Sequence, residues 1–312
     1  MKSDDRIELQ KVRDFGDVMS DTFKILRQGI RPLGKSMIYF AGPFIVMLSV
    51  VTGLFNEEMA VFWNRMVSGA FQGIRPSQGL QSDYYSAVFG VKYFVIIFLS
   101  FITSVILQLL VYEFITLYKD KDYREITPGD ILRASKRDFW MILFTNFGLG
   151  LFSALSITIL LIAGFINVFI MPLSVILIIV LGVYFLVTLA LVPVIRINER
   201  SGFFVSFGRS IVLMYGNWWK TFGLLIVLFL VIIIMSIGLG LPYMAVNFFA
   251  VFHNIGAESS PFLKAIFILA NTINMLGYLL YSILMTGVAF QYYNAVEKKE
   301  GRGLLRKLDE LS

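Results

Sequence analysis

Residues 139–195 read FWMILFTNFGLGLFSALSITILLIAGFINVFIMPLSVILIIVLGVYFLVTLALVPVI, with no Asp, Glu, Lys or Arg anywhere along them. A helix needs about 20 mainly apolar residues to cross about 30 Å of hydrocarbon. This one stretch therefore holds two membrane spans, and Asn167 and Pro172 near its middle supply the turn between them. A transmembrane barrel does not compete, because nothing shows the ten-residue segments of alternating polarity that a barrel needs.

The same rule applied outward finds the remaining spans. Helix one lies between Lys35 and Glu57, and helix two between Lys92 and Lys119 with Glu113 as its one charge. The quoted stretch supplies helices three and four. Helix five runs from about residue 221 to 247 with Pro242 near its far end, and helix six from about 265 to 293. The expectation is an all-α integral membrane protein made of a single membrane domain. Its parts are a cytoplasmic amphipathic segment over 1–35, a six-helix bundle over 36–293 and a cytoplasmic tail over 294–312.

Composition agrees. Of 312 residues, 57% are hydrophobic and 15% charged, against about a quarter charged in an ordinary soluble domain, and the mean hydropathy is +0.77. Cysteine is absent, which removes disulfides, thiolate chemistry and cysteine metal sites. The single His253 lies in the segment VNFFAVFHNIGAES and cannot form a multi-imidazole metal site or a convincing Ser-His-Asp set. No cofactor and no metal are expected. The opening MKSDDRIELQKVRDFGDVMSD has no apolar core followed by a small-residue cleavage site, so the chain is expected to keep its own start.

Lysine and arginine orient the spans. Twenty-three of them lie before helix one, between two and three, between four and five, and after six, whereas the opposite faces hold four: Arg65, Arg75, Lys92 and Lys264. That asymmetry places both termini in the cytoplasm. The net charge of +6 then follows from topology, a basic face beside anionic lipid, and requires no nucleic-acid partner.

The loops that join the hairpins resemble one another. Ahead of helix one stands DVMSDTFKILRQGIRPLGK, ahead of helix three ITPGDILRASKRDFWM, and ahead of helix five SGFFVSFGRSIVLMYGNWWK. Each reads as a short amphipathic helix, a break, aromatic or basic residues and then a span. In the first, Val18, Phe23, Ile25 and Leu26 fall mostly on one side. In the second, residues 127 to 130, TPGD, provide turn residues and a capping Asp130. In the third, Val205, Ile211, Val212 and Tyr215 lie along the membrane surface and Gly216-Asn217 turns the chain. Superposing Gly29 on Gly216 brings Arg137 to the same point, which suggests three copies of an interfacial helix plus a hairpin. Trp140, Trp218, Trp219 and Lys220 are the interface anchors of this scheme.

RINERSGFFVSFGRSIVLMYGNWWKTFGLLIVLFL, residues 196–230, resembles the recurring junction of a broad group of bacterial multi-pass proteins, through Glu199, Gly202, Arg209-Ser210, Leu213, Trp218 or Trp219, and Gly223. The group includes the membrane domain attached to some glycerophosphodiester phosphodiesterases. Phe207-Gly208 stands where the group usually has a small residue ahead of its Arg-Ser pair. The resemblance implies an α-helical integral membrane protein. The phosphodiesterase chemistry of that group belongs to a separate soluble domain with paired histidines and carboxylates, which no stretch here supplies.

GIRPLGKS, opening at Gly29 and closing at Ser36, fits the phosphate-loop pattern G-x-x-x-x-G-K-[ST] letter for letter. The pattern binds nucleotide only where a buried strand leads into it and a helix N-terminus meets the phosphate. Here an amphipathic helix precedes it and a membrane span follows, so nucleotide binding is not expected. Arg31 and Lys35 read instead as boundary anchors, and Gly29 as a helix break.

Polar residues inside the spans are the better pointers to function. Ser100, Ser104 and Gln108 share one face of helix two; Asn146, Gly150 and Ser153 share one of helix three; Asn271, Asn274, Tyr278 and Tyr281 lie close to one stripe of helix six. These residues would either line a polar cavity among helices two, three and six or pair off as ordinary interhelical hydrogen bonds, the reading favoured here. Glu113 lies within reach of the cytoplasmic end of helix two, with Arg196 as its expected ion-pair partner. No Asp, Glu, Lys or Arg lies deeper, which argues against proton-coupled transport and a charged filter. The outer segment 57–92, with Glu57, Glu58, Trp63 and Arg65, reads as a surface helix and a turn-rich stretch, with a lid as the functional option. The leading expectation is a non-enzymatic scaffold or accessory subunit that organises lipid or a protein partner, itself included. The alternative is a channel or carrier for a neutral or lipidic solute.

Overall fold

The computed structural model describes residues 6–53, 90–166, 171–252 and 261–301, together with 303 and 305. Among them the regular elements are all helical, with no strand. In chain order they are α1 (Phe15–Gln28), α2 (Ile30–Gly53), α3 (Val91–Asp120), α4 (Pro128–Ile166), α5 (Met171–Leu189), α6 (Val192–Glu199), α7 (Phe203–Met214), α8 (Trp218–Phe252), α9 (Pro261–Met275) and α10 (Tyr281–Glu300). Six segments are long and apolar enough to cross a membrane: α2, α3, α4, α5 with α6, α8, and α9 with α10.

Only 6% of the most apolar window of α4 is buried, and Ile159, Phe165, Leu186 and Ile234 are each at least 65% exposed. Water-soluble proteins do not turn contiguous apolar surface outward on that scale. The chain is a multi-pass helical membrane protein.

Irregularities fall where the sequence forces them. Pro43 has no N–H and would clash with the carbonyl four residues back, and the π turn at Met37–Ala41 sits immediately before it. Pro193 likewise denies a donor to Leu189, and α5 ends there while α6 begins afresh at Val192. A 3-10 turn, Leu276–Leu280, separates α9 from α10, so the last span is not one uniform helix.

The three junctions are not copies of one design. At the first, Gly29 caps α1 and α2 follows at once. At the third, α7 ends in a turn in which Gly216 takes φ +78° before α8 starts at Trp218. At the second, the expected break is absent: α4 runs unbroken from Pro128 to Ile166, and Arg137 is mid-helix. No Gly or Pro occurs between Gly129 and Gly148, so nothing stops the helix. Its start is also three residues earlier than the expected cap at Asp130 implies. Thr127 is the cap, its Oγ1 accepting from the Asp130 N–H at 3.2 Å, while Asp130 closes the box by accepting from the Thr127 N–H at 3.1 Å.

The chain divides into two compact units. The first comprises residues 1–36, 108–231 and 282–312; among the described residues it holds every Lys and Arg except Lys92 and Lys264. Its core includes Ile25, Leu109, Phe114, Tyr118, Ile131, Ile195, Leu213 and Phe290, all at most 2% exposed. The second comprises residues 37–107 and 232–281 and is built from apolar helix with a few polar side chains.

Candidate functional site

Unit one concentrates the polar chemistry. Arg13 is 2% exposed and every part of its guanidinium is engaged. Nε donates to Asp21 at 2.7 Å, one terminal nitrogen donates to the Leu9 and Lys11 carbonyls, the other donates to the Glu8 carbonyl, and the group lies 4.9 Å over the Phe290 ring. A buried charge is tolerated only when paired and hydrogen-bonded in this way. Its backbone N–H donates to Asn294 at 2.9 Å, tying the N-terminal segment to α10.

A second cluster joins α6, α7 and α10. Arg209 grips Glu199 through two parallel bonds of 2.7 and 2.9 Å and reaches Glu300 at 2.5 Å. The bonds to Glu199 raise the guanidinium further above its ordinary range, so its charge is fixed. Tyr292 donates to the same Glu199 at 3.0 Å, and Tyr293 donates to Asn198 at 2.6 Å. The helix that presents Arg209 is inverted relative to a water-soluble one. In α7 the small polar Ser206 and Ser210 are buried together with Leu213 and Met214, whereas Phe204, Val205 and Val212, and Tyr215 just past the helix end, are exposed.

The sequence-derived ion pair is redistributed. Glu113 is 1% exposed and faces Arg137 at 3.9 Å, with its Oε1 accepting no hydrogen bond. Arg196 does not reach it, and donates instead to Thr145 Oγ1 at 2.6 Å and to the Met141 and Ser201 carbonyls. The helix break at Pro193 re-aims Arg196 toward α4, an effect that depth counting along a straight helix misses. Asp138, singled out by no motif, is the local hub: it is bonded by Arg200 and, at 3.2 Å, by Arg137.

The polar stripes are mostly paired, in each unit separately. In unit one, Asn146 donates to Gln108 at 2.7 Å and to the Ile142 carbonyl at 2.9 Å. Ser153 is exposed and donates to its own helix at Leu149. In unit two, Tyr278 donates to Ser100 at 3.3 Å, and Ser104 donates to the Phe101 carbonyl. Asn271 turns to α2, donating to the Ser49 carbonyl at 2.6 Å and to Thr52 at 2.8 Å, beside a Ser49–Thr272 hydroxyl contact of 2.6 Å. Asn274 lies against Gly240, where an added Cβ would stand 3.4 Å from its Oδ1. Ser49, Thr52 and Thr272 are thus partners that charge and stripe reading did not single out. Small hydroxyl residues carry no distinctive signal in an apolar helix.

The anchors behave as surface aromatics. Trp140 is 63% and Trp219 76% exposed, and Lys220 is exposed. Trp218 stacks on Tyr184 and Phe222 at ring separations of 5.9 and 5.1 Å, a contact between α5 and α8 within unit one. His253 and segment 57–89 lie outside the described residues.

Unit one also carries a cavity of about 960 Å³ between α1, α2 and the start of α4. Lys24, Arg27, Arg31, Lys35 and Arg124 line it, and no Asp or Glu does. Arg27, Arg31 and Lys35 follow one another at i, i+4 and i+8 across the Gly29 break. Like charges at that spacing oppose helix formation by about 0.2–0.5 kcal/mol per pair. The cavity contains the cations of GIRPLGKS but not a phosphate loop. Its residues are helical, and the Leu33 N–H is spent on the Gly29 carbonyl at 2.8 Å.

No family model, no curated protein and no solved structure matches the chain. Among the described residues no group of His, Cys, Asp and Glu could hold a metal ion.

Proposed function

We propose that the protein is a non-enzymatic, multi-pass scaffold or accessory subunit of a bacterial inner membrane, with both termini cytoplasmic, that organises lipid or a protein partner. The junction around Glu199 and Arg209 is then the counterpart of the junction in the bacterial membrane-domain group that residues 196–230 resemble. The observation that carries this reading is the pairing of the intramembrane polar side chains. Asn146 with Gln108, Tyr278 with Ser100 and the Asn271 amide nitrogen with Ser49 and Thr52 are paired within the protein, while Asn271 Oδ1 is buried and accepts no hydrogen bond. The exposed Ser104 and Ser153 donate to their own helices and need no solute. Polar groups that serve packing in this way are worth about 1 kcal/mol each and leave little for solute recognition. This favours the scaffold over a channel or carrier for a neutral or lipidic solute.

Purification of the full chain in mild detergent tests the reading, with protein and lipid composition measured together. A stoichiometric lipid or protein companion, a second copy included, is expected. Protein that emerges as a bare monomer under the mildest conditions contradicts it.

A further inference from the structure

We propose that the cavity lined by Lys24, Arg27, Arg31, Lys35 and Arg124 binds the phosphate of an anionic phospholipid headgroup. The proposal deepens the lipid-organising reading above and rests on it. The cavity collects five cations and no carboxylate. Arg27, Arg31 and Lys35 are exposed and make no ion pair or hydrogen bond among the described residues, whereas Arg13, Arg137, Arg200 and Arg209 in the same unit all have carboxylate partners. A set of cations aligned on one helical face without counter-charge is complementary to an anion with several oxygens, and arginine's planar fork suits phosphate.

The surroundings select a lipid rather than a free anion. Ile30 lines the same cavity and is 69% exposed. A headgroup phosphate seated among the cations would thus have its acyl chains continue along an outward apolar surface. Lys35 also stands where the first membrane-spanning helix leaves its basic turn, the depth at which headgroups lie. The recognition is by side-chain charge: Pro32 has no N–H, and the Leu33 amide is spent on the Gly29 carbonyl.

The test titrates the full-length protein in mild detergent with phosphatidylglycerol, phosphatidylcholine and inorganic phosphate, and follows bound adducts by native mass spectrometry. The wild type should bind phosphatidylglycerol in clear preference to phosphatidylcholine. The triple variant R27Q/R31Q/K35Q should bind phosphatidylglycerol about tenfold or more weakly, since each cation near a headgroup contributes severalfold. The variant R133Q/K136Q, which removes two exposed cations outside the cavity, should stay within about twofold of wild type, because screening confines each charge to its own neighbourhood. The charge-conserving R27K/R31K/K35R should retain selective binding, which separates charge from a folding defect. Equal binding by wild type and R27Q/R31Q/K35Q overturns the site while leaving the scaffold reading intact, because lipid is still held. Phosphate binding that depends on the three cations without any preference for phosphatidylglycerol overturns the lipid assignment. A wild type that holds no lipid and no partner overturns both.

Discussion

Gly29 stands so close to Phe114 that a Cβ placed on it would lie 2.3 Å from the ring's Cζ and 2.6 Å from Cε1. The glycine is therefore required by contact between α1 and α3, and not by its dihedral angles, which any residue can adopt at φ −85° and ψ 1°. Phe114 is 1% exposed and edge-packed against Tyr118, so the ring has nowhere to go. Gly29→Ala should lower stability by about 1–3 kcal/mol, as overpacking of a tight core does. The double variant Gly29→Ala with Phe114→Leu should recover part of the loss. Thermal midpoints in one detergent check both; an unchanged midpoint in the single variant contradicts the contact.

The two other glycines of interest answer oppositely to the same substitution. Gly216 holds φ +78° in open space, so Gly216→Ala meets no neighbour but forces an L-residue into the left-handed region. That should cost about 1–2 kcal/mol. Gly208 lies inside α7 with ordinary helical angles and nothing within 4 Å. Gly208→Ala should raise stability by about 0.5–1 kcal/mol, because glycine is the poorer helix former. Opposite signs on denaturation in one detergent are the expected outcome, and a shared sign would mean that the turn geometry at Gly216 is not maintained.

The fold was legible because its determinant is one-dimensional: a charge-free run long enough to span hydrocarbon can be read residue by residue, as 139–195 shows. Gly216 could be placed too, since a Gly-Asn pair between two apolar segments leaves few conformations. What failed did so for three-dimensional reasons. The break expected near Arg137 required a residue that stops a helix, and the segment has none. Matching depths along straight helices pairs Arg196 with Glu113, but the interruption at Pro193 turns it to Thr145. The stripe on helix six groups Asn271 with helices two and three, yet its amide reaches Ser49 and Thr52 of α2, a pairing that depends on which helices are neighbours. The cavity cations were visible as Arg31 and Lys35 of a misleading motif. Their convergence with Arg124 comes only from the tertiary placement of the segment ahead of α4.

The Asn146–Gln108 bond offers a direct measure of what intramembrane polar pairing is worth here. Its 2.7 Å length joins α3 to α4 within unit one. Asn146→Leu removes the donor, and Gln108→Leu the acceptor. Each single change should cost more than half of the double change, since it strands the other amide. The coupling energy from the four-variant cycle should be about 0.6–1.7 kcal/mol. A coupling near zero, with both singles tolerated, would imply that the two amides are hydrated separately and would strengthen the carrier reading at the expense of the scaffold.

Topology can be tested with unusual clarity because the chain contains no cysteine. Single substitutions Lys136→Cys and Ser312→Cys, in a basic helix start and in the tail, are expected to face the cytoplasm. Ser77→Cys, between helices one and two, is expected to face the other side. The basis is the concentration of Lys and Arg in one set of loops, which resists translocation. A membrane-impermeant maleimide applied to intact spheroplasts should label Ser77→Cys alone, and permeabilisation should expose the other two. The reverse pattern would place the Arg27, Arg31 and Lys35 cavity on the outer leaflet, where the anionic-lipid attraction that motivates its assignment is weaker. Labelling of all three from one side would contradict the single crossing expected between Ser77 and Lys136.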